Sequence, residues 1–124
     1  MLVIDTDVLI DFLKGVPASV HYLSSLSDPP FISSLTVAEL YAGVRDNERS
    51  ALDSLTTHLQ TVFVDRDIAV RGGLIRRDYR SSHGVGLVDA LIAATVEAHN
   101  ATLVTLNRRH FPTLSNVVVP YQKP

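Results

Sequence analysis

The chain has 124 residues, 46% of them apolar and 19% charged, with a formal net charge of −2. That hydrophobicity excludes a disordered chain, and the length suits a single domain, expected to span residues 1–124 and to bury roughly two thirds of its unfolded surface. The absence of cysteine excludes disulfides, thiolate metal sites and cysteine nucleophiles; without a basic leader or a membrane-length apolar run, the expected location is the cytoplasm.

In chain order, "LVID" at Leu2–Asp5 reads as a strand that runs into three acids, Asp5, Asp7 and Asp11. A carboxylate beside a hydrophobic core is costly unless a cation or donors meet it, and the only lysines are Lys14 and Lys123. Further β-rich runs follow: "FIS" at Phe31–Ser33, "VFV" at Val62–Val64, "TLVT" at Thr102–Thr105 and "VVV" at Val117–Val119. Between them, "SLTVAELYAGV" has helical spacing, and Gly15 and Gly43 stand where helices can end. "RSSHGVG" marks a loop, and "LVDALIAATVEAHN" reads as a mostly buried helix closing near Asn100. Strands alternating with helices predict an α/β fold: a three-layer α/β/α sandwich around a mostly parallel five-stranded sheet. Ligands of such folds bind beyond the carboxyl ends of the strands.

Three acids stand out because each lies in an apolar segment that ends or follows a strand: Asp5, Glu39 and Asp89. Clustered carboxylates repel one another, which raises at least one pKa, and a divalent cation removes the penalty. Oxygen ligands without cysteine point to Mg²⁺ or Mn²⁺, and the five histidines, His21, His58, His83, His99 and His110, show no zinc-binding spacing. Arg66, Arg71, Arg76, Arg77, Arg80, Arg108 and Arg109 offer local positive charge, read by a partner over about a Debye length of ~10 Å. Solvated helix faces account equally well for any one of them.

"VIDTDVLIDFL", "SLTVAELYAGV" and "GLVDALIAATVEAHNATLVTLNRRHF", in this order from Leu2 to about Phe111, resemble the successive motifs of the PIN-domain family, specifically its VapC-type ribonuclease toxins. The resemblance implies a PIN-like fold with Asp5, Glu39 and Asp89 as the catalytic, metal-binding acids and Asp7 as their companion. It also implies that Thr6 and Thr105 line the site. Asn107 stands where the family often has a fourth acid, and it becomes a weak, neutral metal ligand. His110, an aspartate in many relatives, is expected to order the turn. The implied chemistry is Mg²⁺- or Mn²⁺-dependent hydrolysis of RNA, with Arg108 and Arg109 against flanking phosphates. A cognate antitoxin is the implied protein partner. A homodimer is expected from the resemblance and from the apolar surplus, with "SVHYLSSL" and "ELYAGV" as candidate contact faces.

Other classes stay open. "VIDTDV" also resembles the hDxDxV pattern of haloacid-dehalogenase phosphatases, and a receiver domain would use Asp65 as phosphoacceptor. Both chemistries need a catalytic lysine, for which Lys14 comes too early and Lys123 lies in the tail. A non-catalytic PIN-like binding module is the third alternative, kept open by Asn107.

Overall fold

The computed structural model describes residues 1–123. Five strands, β1 (Leu2–Ile4), β2 (Phe31–Ser33), β3 (Gln60–Val62), β4 (Thr102–Val104) and β5 (Val117–Val118), lie side by side in the order β3-β2-β1-β4-β5. Every pairing is parallel. The six α-helices are α1 (Thr6–Leu13), α2 (Pro17–Ser24), α3 (Ser34–Ala42), α4 (Arg49–His58), α5 (Arg66–His83) and α6 (Leu87–Ala98).

Successive strand residues point to opposite faces of a sheet, and the core divides accordingly. Val3 and Leu103 join Ile68, Ile75, Ala90 and Ile92 under α5 and α6. Their neighbours Ile4 and Val104 join Val8, Leu9, Leu40 and Leu52 under α1, α3 and α4. The expected three layers follow from this alternation. Among the described residues, no helix is long and apolar enough to cross a membrane.

Local chemistry sets the helix limits. Ser33 caps α3 by accepting the Leu35 amide, Asp65 caps α5 by accepting the Ile68 amide, and Pro17 opens α2. Gly15, with φ of 75°, follows α1 in the left-handed conformation that terminates helices cheaply only at glycine.

The structure departs most from the sequence reading at two places. The third strand is Gln60–Val62, because that register pairs it with all of β2, and Phe63 is left 73% exposed. The stretch read as a loop, "RSSHGVG", is helical through His83; the left-handed Gly84 stops α5, not the serines.

The α5–α6 contact depends on a missing side chain. A Cβ at Gly72 would lie 2.5 Å from Leu91 Cδ2 and 3.0 Å from its Cα, so a side chain there would displace the Leu91 side chain and press on the α6 backbone. Gly73, the next residue, faces open space. Gly72→Ala should therefore destabilise the fold by ~1–3 kcal/mol, as overpacking does. Gly73→Ala should stabilise it by ~0.5–1 kcal/mol by removing glycine's backbone freedom. Urea denaturation of the two variants checks the opposite signs.

Candidate active site

The strand order reverses between β1 and β4: the chain leaves β1 toward β2 on one side, and the later β4 returns to its other side. Loops leaving such a point diverge and open a crevice at the carboxyl edge of the sheet. Asp5 stands at this edge. Its amide donates to the Val104 carbonyl at 2.9 Å, and its carboxylate takes the Thr6 amide at 2.8 Å and the Thr105 hydroxyl at 2.7 Å. Asp5 is thereby both the cap of α1 and a bridge to β4. It is only 6% exposed.

The other acids arrive from separate elements. Glu39, in α3, is exposed, and the Thr6 hydroxyl donates to it at 2.7 Å. A hydroxyl has one proton, so the 3.0 Å contact of Thr6 with Thr36 is donated by Thr36. Asp89 lies in the first turn of α6, with His110 Nδ1 3.2 Å from its Oδ2. Asp7 accepts the Leu106 amide on Oδ2 at 3.2 Å, while its buried Oδ1 has no partner. Together Asp5, Thr6, Asp7, Ile10, Glu39, Asp89, Asn107, His110 and Phe111 line one cleft of about 240 Å³.

Electrostatics mark the same place. Burial, then the charge of Asp7, push the Asp5 carboxyl up to about 7 against the pull of the Thr105 hydrogen bond, and Asp89 adds to the rise. Burial raises Asp7, with Asp11 adding charge and the Leu106 amide opposing. Burial also raises Asp89; His110 opposes and Glu39 reinforces. A cluster of carboxyls displaced upward is short of positive charge.

The sequence-derived residues are therefore brought together, with three refinements. As the side chains are turned, no three acids or histidines among the described residues stand close enough to clasp one ion. Each acid meets a protein partner instead: Thr6 on Glu39, His110 on Asp89, Thr105 on Asp5. His110 does more than order a turn, because it touches both Asp89 and Asn107. Neither arginine lines the cleft: Arg108 donates to the Val117 carbonyl at 3.0 Å, and Arg109 stands exposed in the same turn. Ile10 and Phe111, which wall the cleft, carry no sequence mark beyond being apolar.

The donor set suits a hard cation. All the candidate ligands are oxygens, and the partnerless buried Asp7 Oδ1 is a carboxylate atom that the protein alone leaves unsatisfied. Mg²⁺ or Mn²⁺ fits that chemistry. Neither lysine lines the cleft: Lys14 borders a neighbouring groove, and Lys123 pairs with Asp11 at 3.0 Å. The phosphatase and receiver alternatives lose their required group.

An open parallel sheet with an acidic crevice at its reversal point defines an α/β fold with its candidate site at the carboxyl edge, and a family model narrows it. The PIN domain model matches residues 2–116, and this chain belongs to the PIN-domain family. Two relatives from Mycobacterium tuberculosis match over nearly full length. The chain is 42% identical to Ribonuclease VapC19, over 98% of this chain and 100% of that protein. It is 39% identical to Ribonuclease VapC10, over 100% and 96%. Among solved structures, a toxin-antitoxin complex from Klebsiella pneumoniae holds a chain that aligns with a TM-score of 0.83 at 27% identity, covering 99% of this chain and 100% of that one. FitAcB from Neisseria gonorrhoeae aligns at 0.77 and 28%, covering 97% and 98%.

The raised Asp5 pKa has a sign that can be tested. In the unfolded chain the carboxyl ionises near 3.8, in the fold at about 7. Its protonation thus favours the fold most below the unfolded value, and this contribution is lost as pH rises through about 7. Asp5→Asn cannot ionise, so its stability relative to the parent should improve between pH 5 and pH 8 by on the order of 2–4 kcal/mol. Metal-free denaturation curves across that range check the trend.

Proposed function

We propose that this chain is a metal-dependent endoribonuclease and the toxin of a VapBC-type toxin–antitoxin pair. The observation that carries the reading is the convergence of Asp5, Asp7, Glu39 and Asp89 on one cleft at the reversal of the sheet. The names of the full-length relatives supply the substrate class. A binding module with no chemistry has no need of four carboxylates in a cleft, least of all with one raised to about 7.

Asp5, Asp7, Glu39 and Asp89 would hold Mg²⁺ or Mn²⁺, with Asn107 offering a neutral oxygen. The bound ion supplies a Lewis acid that activates water and offsets charge developing on the phosphate. The chain's own residues set the frame for that chemistry. Thr105 and the Thr6 amide fix Asp5, the Thr6 hydroxyl fixes Glu39, and His110 holds Asp89. Phe111 and Ile10 give the cleft apolar walls. Exposed Arg109 is free to meet a flanking phosphate, a role Arg108 shares only with donors not already on Val117. With only four Tyr and four Phe in the chain, recognition rests on backbone shape more than on base stacking.

An antitoxin completes the reading, since the similar solved structures include toxin-antitoxin complexes. Its candidate seat is a groove of about 330 Å³ between α1, α3 and α4, whose lining includes Leu13, Leu40, Val44 and Leu52. Ile10 and Glu39 belong to this groove and to the acidic cleft alike. An inhibitor with an apolar segment and a cationic end would match both. A homodimer is part of the proposal, although α2 turns Tyr22 and Leu23 inward against the core. Val70 and Leu74, one turn apart on α5 and exposed, are the better contact residues.

Cleavage of single-stranded RNA should require Mg²⁺ or Mn²⁺, stop with chelator and be abolished in Asp5→Asn and Asp89→Asn. Undiminished cleavage by either variant would overturn the reading. Asn107→Asp adds a charge to the cluster, so Mn²⁺ affinity measured by calorimetry should rise and metal-free melting temperature should fall.

A further inference from the structure

Asp11, in the last half of α1, is 2% exposed, yet no residue of its own helix neutralises it. Its partners come from the segment that follows β5. The Tyr121 hydroxyl donates to Oδ2 at 2.8 Å, and the Lys123 ammonium lies 3.0 Å from Oδ1. Tyr121 also packs against the cluster of Ile4, Val8 and Val104. Having left the edge strand β5, the chain thus reaches back to the helix that follows the central strand β1.

That helix is the one that builds the cleft. Residues four apart stack on one helical face, so Asp11 lies one turn beyond Asp7. Thr6, Asp7 and Ile10 of the same eight-residue helix line the cleft, and Asp5 caps it. Asp7 accepts the amide of Leu106, which packs, like Tyr121, against the cluster of Ile4, Val8 and Val104. A buried carboxylate stripped of its cation must find water, and α1 is too short to move at Asp11 without moving at Asp7.

We propose that Tyr121 and Lys123 form a latch on Asp11 that positions α1, and through it Asp7, in the acidic cleft. The proposal rests on the nuclease reading for its consequence in catalysis. Tyr121 and Lys123 are positioning residues, since neither lines the cleft.

The test combines hydrogen exchange at the Leu106 amide, Mn²⁺ titration by calorimetry and RNA cleavage kinetics. Lys123→Met and Tyr121→Phe should speed Leu106 exchange, weaken Mn²⁺ binding by about tenfold and lower kcat with KM little changed. Lys123→Arg should restore parental values. In an Asp11→Asn background, which has no charge to neutralise, Lys123→Met should add no further change. Lower melting temperature with unchanged Leu106 exchange and Mn²⁺ affinity would overturn the latch, leaving the segment a general stabiliser. Full effects of Lys123→Met persisting in the Asp11→Asn background would overturn it as well. Should the parent neither bind Mn²⁺ nor cleave RNA, the nuclease reading fails, while Leu106 exchange still decides whether the latch positions Asp7.

Discussion

The structure turns on the burial of one carboxylate, that of Asp5, between β1 and β4. Such a group survives in a core only if donors meet it on every side. Here a helix N-terminus and the Thr105 hydroxyl do so. Neither supplies a full positive charge, so the carboxyl stays displaced upward, and three more acids crowd the same opening. The fold tolerates this because the opening lies where the sheet reverses its direction of growth and has no helix to close it.

The rest of the molecule reads as support for that opening. The helices on one face of the sheet carry the acids Asp7 and Glu39, and α6 on the other face brings Asp89. Gly72 lets α5 seat closely on α6, fixing the helix from which Asp89 projects. The site is thus held from both faces of the sheet, and a shift of either layer changes the spacing of its acids.

Much of this was legible in the sequence. Asp5, Glu39 and Asp89 are conspicuous because each breaks an apolar run, and the strand–helix alternation places all three at one edge. What could not be read depends on distant contacts. Phe63 is apolar and β-prone, so it reads as strand, yet it has no partner and faces solvent. His110 carries no spacing signal; its contact with Asp89 arises because the turn after β4 lies against the start of α6. Asp11 poses a charge without a partner until folding brings Tyr121 and Lys123 to it from more than a hundred residues away. Local propensity reports the period of an element, not the side chains that folding sets opposite it.

The pairing of β1 with β4 also orders events in time. Residues emerge from the ribosome at about 5–20 per second, N-terminal end first. Strands β1, β2 and β3 with helices α1 to α4 can associate while the remainder is still being made, but Asp5 has no Thr105 and no Val104 to meet until β4 appears. Contacts so far apart in sequence form late and slowly. The acidic cleft is therefore among the last features a growing chain can assemble, and an incomplete chain that lacks β4 carries the acids without the site.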